Sequence, residues 1–491
     1  MDQISSMLVT PSLGHSLGFD QQVKQLIQTA EESIARIDSQ IRDLLRLRDR
    51  ERGVIAALKF VAAPIRKLPA ELLVDIFLRA ASDANDEGRL RKVLAISHVC
   101  AHWNRLACTT PQLWNQCLLP NLTKAPSESY LATTKSFLER SAPLPIPVRI
   151  EYQFEAALPL SQLLFGFAPR WKSLSFSHSQ ITNLRQLPMD ALQRLESIDL
   201  WDTEEIPPHS PIVVFLGAPR LHTVILDCRN HTRILMPWSQ LTKLVIRCFL
   251  KPAQDCLGIL IQCESIVSAD ISGILLLQDR DPGGSVQTST LARLKELCLG
   301  FDPVGAVEQP LTPFFASLAL PALTKLTIRL DSGTEAIWSP EELTSFQRRS
   351  PNMEHLELVG LSITSYGLVT LVTNSPSLIH LELHLCFDNE DAVDSTLQRL
   401  RYTSTHLVHA APRLRNLYII ERFGDFDETA LEDMIFSRWW TDEQLASMPV
   451  PPRVARLETV HICSYSDLEY SKEFLEKMKQ LREEGLVILV E

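Results

Sequence analysis

The sequence lacks a strongly basic stretch, a membrane-spanning run and the common short catalytic motifs. Its net charge is −11 over 491 residues, which argues against a sequence-independent grip on nucleic acid. The longest uncharged apolar run, residues 310–324, is broken by three prolines and is too short to cross a bilayer. There is no glycine-rich nucleotide loop, no His-Glu-x-x-His and no Gly-x-Ser-x-Gly. Nothing in the sequence therefore predicts an enzyme or a bound cofactor.

Paired cysteines are also lacking, since the ten cysteines are scattered without a Cys-x-x-Cys. Several lie in apolar, strand-like runs, and free thiols in a reducing compartment are the simplest interpretation. Residues 1–19 have neither the basic start nor the apolar core of a signal peptide. With 45% apolar and 22% charged residues, the composition is that of globular proteins. We therefore expect an intracellular protein, in the cytoplasm, the nucleus or both.

Three short clusters between residues 68 and 114 predict a small helical domain. The first, residues 68–77, reads Leu-Pro-Ala-Glu-Leu-Leu-Val-Asp-Ile-Phe and places Leu72, Leu73, Ile76 and Phe77 on one helical stripe. The second starts at Val99 and reads Val-Cys-Ala-His-Trp, with apolar residues spaced for another helix. The third is Leu-Trp at 113–114. About fifty residues make a very small core, so we expect a partner to cover some of this apolar surface.

The order and spacing of these clusters resemble the F-box, a family that docks on the Skp adaptor of SCF-type ubiquitin ligases and, through it, on a cullin. The polar stretch 82–91 departs from the family pattern by lengthening the link between the first two helices. The resemblance covers residues 62–120. It implies that the adaptor-binding residues are Leu68, Pro69, Leu72, Ile76, Phe77, Val99, Trp103, Leu113 and Trp114.

A helical pattern precedes this domain. Residues 1–20 have no periodicity and are predicted to be disordered, whereas residues 21–61 form an amphipathic helix. Its apolar residues alternate spacings of three and four, which is a heptad seam interrupted by Arg48 and Glu51. Two interpretations stay open: a coiled coil that forms a homodimer through residues 21–60, or a helix folded back on its own domain.

From residue 127 to the C-terminus the chain repeats a short apolar pattern, with apolar residues at the first, fourth and sixth positions. This pattern resembles leucine-rich repeats, and it implies an α/β fold in which an irregular solenoid carries a parallel sheet. The asparagine or cysteine that usually follows the strand is largely missing, except for Cys386. Some other α/β arrangement of parallel strands is the alternative. Copies begin at Trp171, Leu195, Leu221, Leu241, Ile266, Leu294, Leu323, Met353, Leu378, Leu414 and Leu457.

Two further segments belong to this repeat domain, which spans residues 127–491. The insertion 421–456 carries several aromatic residues and is expected to cover the solenoid, with an exposed interaction patch as the alternative. Residues 466–491 contain an amphipathic helix and a last strand. We interpret them as the cap that closes the apolar end of the solenoid.

The variable residues of each strand point to one face, which is concave in this architecture. His380, Glu382 and His384 lie on one strand, beside His355 and Glu357 of the neighbouring repeat. Their spacing does not suit a single metal ion, and a pH-sensitive contact patch is the favoured interpretation. The predicted target-binding residues are Lys243, Arg247, His355, Glu357, His380, Glu382, His384, Tyr418 and His461.

The order of helix, F-box and repeats resembles a large group of fungal F-box proteins. It implies a substrate-recognition subunit of an SCF-type E3 ubiquitin ligase, in which the F-box binds the Skp adaptor and the repeats hold a target protein. The alternative is a scaffold or inhibitor that works outside a ubiquitin ligase. Both functions predict protein partners only, with no nucleic acid, no membrane, no metal, no cofactor and no catalytic residue.

Overall fold

The computed structural model divides the chain into two compact units, residues 1–79 and 80–491. No helix in the described parts of either unit is long and apolar enough to span a membrane. The structure describes residues 17–82, 86–115, 117–118, 127–150, 158–177, 183–203, 211–228, 233–276, 288–303, 309–330, 336–337, 339–361, 363–387, 390–404, 409–421, 427–464 and 470–490.

The first unit is dominated by helix α1, Leu17–Ala62. The predicted disorder of residues 1–20 is wrong for residues 17–20, because a helix extends readily once nucleated and no proline lies in this stretch. The rest of that prediction lies outside the described residues. The helix ends before Pro64, which cannot continue it, and a short 3₁₀ turn, Pro64–Lys67, leads to α2, Ala70–Ser82.

The second unit begins with the remaining helices of the 62–120 region. Helix α3, Asp86–Ser97, occupies part of the stretch that was predicted to be a link. Helix α4, Ala101–Cys108, starts later than the prediction, because Cys100 is its N-cap and accepts a hydrogen bond from the Trp103 amide. Val99 therefore lies before this helix, and the prediction that it shares a helical stripe with Trp103 is wrong.

The rest of the second unit is built on one open, parallel sheet of 14 strands. Its strands are β1 Cys117–Leu118, β2 Ile146–Ile150, β3 Trp171–Ser177, β4 Ser197–Thr203, β5 Thr223–Cys228, β6 Lys243–Pro252, β7 Ser268–Leu276, β9 Glu296–Pro303, β12 Lys325–Leu330, β14 His355–Val359, β15 His380–His384, β16 Asn416–Glu421, β17 Thr459–Ser464 and β18 Val487–Val490. Two-residue strands make two small side pairs, β8 Ser289–Thr290 with β11 Leu318–Ala319, and β10 Gln309–Pro310 with β13 Ala336–Ile337.

The predicted repeats are confirmed strand by strand, because each of the eleven predicted starts lies at a strand or two residues before one. The return segments are 3₁₀ turns in the early repeats and helices in most later ones. The helices are α5 Glu128–Arg140, α6 Leu158–Phe165, α7 Ala253–Gln262, α8 Thr312–Ala316, α9 Pro340–Arg349, α10 Ser365–Thr373, α11 Glu390–Leu400, α12 Glu428–Arg438, α13 Asp442–Ser447 and α14 Lys472–Glu483.

A single apolar core runs between the sheet and these return segments, from Leu138 to Ile488. In the insertion 421–456, Met434 and Trp439 join this core, whereas Phe436 of α12 is exposed. The insertion thus supplies the return helix of its repeat and covers apolar surface.

A buried cation secures this helix. Arg438, only 1% exposed, donates hydrogen bonds from its Nε, Nη1 and Nη2 atoms to the carbonyls of Leu400, Ala411 and Ala410. Burial lowers the pKa of Arg438 to about 10, so it stays charged at neutral pH. The three carbonyls end α11 and precede β16, so the guanidinium joins three consecutive parts of the solenoid.

Candidate protein-interaction sites

The predicted adaptor-binding residues on and before helix α2, in the first unit, differ in solvent exposure. Leu72 is 51% exposed and Ile76 is 41% exposed, one helical turn apart, while Phe77 on the same helix is buried. Pro69 is exposed before the helix and Leu68 is partly exposed. Two large apolar side chains one turn apart on a helix surface form a ready contact stripe for a protein partner.

The predicted residues of the second unit divide in the same way. Val99 is 52% exposed and Trp103 is partly exposed, while Leu113 and Trp114 are buried. The Trp114 indole donates a 2.7 Å hydrogen bond to the Ala107 carbonyl.

The Trp114 ring is also enclosed by its neighbours in the chain. It stacks on Phe137 with centroids 5.2 Å apart, and the Arg140 guanidinium lies 4.9 Å from its centre. Phe77, Leu113 and Trp114 therefore belong to the interior of the protein. The exposed candidates for a partner are Pro69, Leu72, Ile76 and Val99.

The parallel register of the sheet arranges the polar side chains of one of its faces in rows. On strands β12 to β17 one row runs Lys325, His355, His380, Asn416 and Thr459. The next row runs Thr327, Glu357, Glu382, Tyr418 and His461. The intervening leucines and isoleucines are buried on the opposite side. We call the side that carries these two rows the open face.

The structure brings seven of the predicted target-binding residues together on the open face of β14 to β17. The His355 and His380 rings stack with centroids 5.6 Å apart, the His380 and Tyr418 rings are 5.0 Å apart, and the His461 ring meets the edge of Tyr418 at 5.8 Å. We call this group the histidine patch: His355, Glu357, His380, Glu382, His384, Tyr418 and His461.

The two carboxylates of the histidine patch have different partners. Glu357 accepts hydrogen bonds from Arg329 at 2.8 Å and from the Thr327 hydroxyl at 3.0 Å. Burial opposes ionisation of Glu357, but these contacts outweigh it and its pKa is lowered. Glu382 lies 2.7 Å from His384 Nε2 and 3.4 Å from His380 Nε2. Arg329 thus neutralises the Glu357 charge, whereas the partners of Glu382 among the described residues are the His384 and His380 rings.

The surroundings of His355 favour its neutral form, whereas those of Glu357 favour its charged form. Burial and the neighbouring His380 lower the pKa of His355, with Lys325 acting in the same direction and Glu354 against it. His355 is therefore neutral at pH 7, and its ring is available for stacking.

The structure does not bring Lys243 and Arg247 to the histidine patch. Both lie on β6, with β7, β9 and β12 between them and β14, a separation of about 19 Å at the usual strand spacing. Arg247 and Arg149 favour ionisation of Asp199, but burial is stronger and raises the Asp199 pKa. The open face thus carries two separate polar regions.

Sequence reasoning missed Thr327 as part of this arrangement, because a small hydroxyl residue gives no functional signal by itself. Within the described residues, no group of three histidine, cysteine or acidic side chains is placed to hold a metal ion. The seven cysteines whose side chains the structure describes are free thiols.

Comparison with known proteins identifies one domain. Residues 65–119 match the family described as F-box-like, and no curated protein matches the sequence. Among solved structures, the mouse RP105/MD-1 complex is similar with a TM-score of 0.35 and 14% identity, over 70% of this chain and 46% of that one. This chain therefore spans less than half the length of that structure. The chain carries an F-box-like domain at residues 65–119, followed by irregular repeats whose strands lie side by side in one open, parallel sheet.

Proposed function

We propose that this protein is the substrate-recognition subunit of an SCF-type E3 ubiquitin ligase. The observation that carries the proposal is the exposed pair Leu72 and Ile76 inside the F-box-like match, since F-box domains generally bind the Skp adaptor. The adaptor would link the chain to a cullin, in the cytoplasm or the nucleus. The solenoid would hold the target close to the ubiquitin-charged enzyme, so this chain accelerates transfer by proximity and has no catalytic residue of its own.

The adaptor contact is tested by Leu72→Asp combined with Ile76→Asp in the full chain. Covering the exposed half of each side chain contributes about 1 kcal/mol, and the variant would also place two carboxylates in an apolar contact. We expect adaptor affinity to fall more than about 100-fold. The measurement is co-purification with the adaptor and the cullin, followed by titration calorimetry with purified adaptor.

Val213→Asp combined with Leu216→Asp is the matched control. These two apolar residues of the second unit are 39% and 46% exposed, and the substitution should leave adaptor binding unchanged. Undiminished adaptor binding by the Leu72 and Ile76 variant would refute the docking assignment. Adaptor binding without a cullin would indicate a scaffold outside the ubiquitin ligase.

We also propose that the target binds the histidine patch. Its aromatic rings offer stacking surface, and the Glu382 carboxylate has no permanent cation beside it among the described residues. Tyr418→Ala combined with His384→Ala should lose proteins that accumulate on the receptor when the proteasome is inhibited, while adaptor binding persists. Ser173→Ala combined with Ser197→Ala, on distant strands of the same face, is the control. An unchanged set of captured proteins would refute this target site.

A further inference from the structure

Glu382 is a carboxylate of the histidine patch that no described arginine or lysine neutralises. Its side chain is 26% exposed, and its hydrogen-bond partners are the imidazoles of His384 and His380. The other carboxylate, Glu357, is already paired with Arg329 at 2.8 Å. Above the pH range in which imidazole takes up a proton, both ring partners are neutral. Glu382 then keeps its negative charge and can accept a cation from a partner.

The basic side chains at this end of the open face do not compensate that charge. Arg415, just before β16, is paired with Glu458. Lys325 and Arg329 lie on β12, two strands from β15, which is about 10 Å at the usual strand spacing. A cationic group of a target would therefore complete the charge balance at Glu382, whereas an acidic target would meet a carboxylate of its own sign.

The rings around Glu382 favour a guanidinium over an ammonium group. Glu382 and Tyr418 are paired in register on β15 and β16, and the partly exposed Tyr418 ring lies 5.0 Å from the His380 ring. A guanidinium is planar, so it can donate two hydrogen bonds to a carboxylate while it stacks on aromatic rings. It is also attracted to the face of a tyrosine ring. This carboxylate beside a row of rings thus fits an arginine side chain.

The open face becomes apolar at its last strand. Leu489 of β18 pairs with His461 in the register of the sheet, so it ends the row that contains Glu382. Val487 ends the neighbouring row. Leu489 is 40% exposed and Val487 is 64% exposed. The face therefore offers an acidic group on β15 and an apolar edge three strands further on, about 14 Å away.

We propose that this surface binds a basic, amphipathic segment of a protein, in which one arginine pairs with Glu382 and apolar side chains cover Leu489 and Val487. This target chemistry rests on the proposed role of the histidine patch as the target site. The charge of Glu382 selects such a segment over an acidic one. The apolar edge selects it over a segment that is basic throughout.

A peptide selection on the full chain tests this target chemistry. The probe is a phage library of random peptides of about 16 residues, long enough to cross three strands as a helix or an extended chain. The selection is made at pH 8, above the range in which imidazole takes up a proton. The selected peptides should carry arginine together with apolar residues.

The contribution of Glu382 is measured with the tightest selected peptide. Glu382→Gln should raise its dissociation constant at least about 10-fold, because a charged hydrogen-bond partner is lost. The glutamine keeps the shape of the side chain, so hydrogen exchange along the sheet should be unchanged. Glu296→Gln is the matched control, since it removes the same charge from an exposed position on β9, three strands from β15. This control should leave the dissociation constant unchanged.

A double-mutant cycle connects the arginine of the peptide to Glu382. Replacing that arginine with glutamine should weaken binding to the wild-type chain. With Glu382→Gln, the same replacement should cost little more, because the two groups act as one pair. Leu489→Ser should raise the dissociation constant about 5-fold through the loss of an apolar contact.

Failure of the target site and failure of its chemistry give different results. Binding that survives Tyr418→Ala combined with His384→Ala would place the peptides elsewhere, and would refute both the target site and its preference for a cation. Binding that is lost in this double variant but unchanged by Glu382→Gln would overturn the cationic target alone. Additive losses in the cycle, a selection of acidic peptides or a selection without any binding peptide would also overturn it.

Discussion

Removing the buried Arg438 should loosen the last repeats more than any exposed substitution. Arg438→Met keeps an unbranched apolar stem but leaves three carbonyls without their donors. Each buried carbonyl left unpaired costs about 1–3 kcal/mol, and loss of the buried charge returns part of its desolvation cost. We expect a net loss of about 3 kcal/mol in the free energy of opening this region.

Hydrogen exchange followed by mass spectrometry is the suitable assay, because a repeat array need not unfold in one step. A loss of about 3 kcal/mol corresponds to amide exchange more than 100-fold faster. The change should be confined to α11, α12, β16 and the strands beside them, since repeats contact only their neighbours.

Two further variants bound the interpretation of this experiment. Arg438→Lys keeps the charge but loses the planar fork of donors, so it should fall between the wild type and the methionine variant. Arg348→Met removes an exposed arginine of α9 and should change stability by less than about 0.5 kcal/mol. A loss below about 1 kcal/mol for Arg438→Met, or exchange that rises evenly along the solenoid, would refute the reasoning.

Three other substitutions or conditions have defined outcomes. Burial and Asp270 raise the pKa of Cys298 from 9.0 to about 11. Iodoacetamide should therefore modify this thiol at pH 8 about 100-fold more slowly than an ordinary cysteine, as measured by peptide mass spectrometry. Comparable rates would contradict this prediction. The pKa of folded His355 lies below its ordinary value of 6.5, so unfolding takes up a proton between these two values. The free energy of unfolding, measured in urea, should therefore fall as the pH falls from 7.5 through 6.5 towards the lowered pKa. His355→Gln should reduce this pH dependence, and an unchanged slope would exclude His355 as its source. Gly360 follows β14 and has a φ of +73°. Gly360→Ala should lower the free energy of unfolding by about 1–2 kcal/mol in the same assay. An unchanged free energy would show that the turn relaxes.

The sequence predicted the repeats because buried apolar residues recur with a period of two along most strands. Met353 and Leu457 could thus be assigned to repeat starts, two residues before β14 and β17, from the pattern alone. Helix α3 was missed because its apolar residues are few and follow a polar, acidic start. The first residue of α4 was misjudged because Val99 fits helical spacing, whereas the cap at Cys100 is a local contact that spacing does not show.

The sequence predicted which residues belong to the candidate sites, but not the contacts between their side chains. Alternation placed His355 and His380 on one face, but the ring stacking with Tyr418 depends on a register that only the folded sheet defines. The sequence could not separate Leu72 from Phe77, because both are apolar and lie close together on one helix. Arg438 gave no signal, since an arginine near a helix end is expected at the surface.

The parallel register of the open face also sets a pitch for whatever lies across it. Neighbouring strands are about 4.8 Å apart, while an extended peptide advances about 3.4 Å per residue. A residue of such a peptide therefore lies directly over a strand again only about every fifth strand, after about seven residues. An α-helix advances about 5.4 Å per turn, so each successive turn meets nearly the next strand. The solenoid is therefore periodic on the scale of a helical turn, and a helix crossing the strands could present one side chain per turn to each repeat.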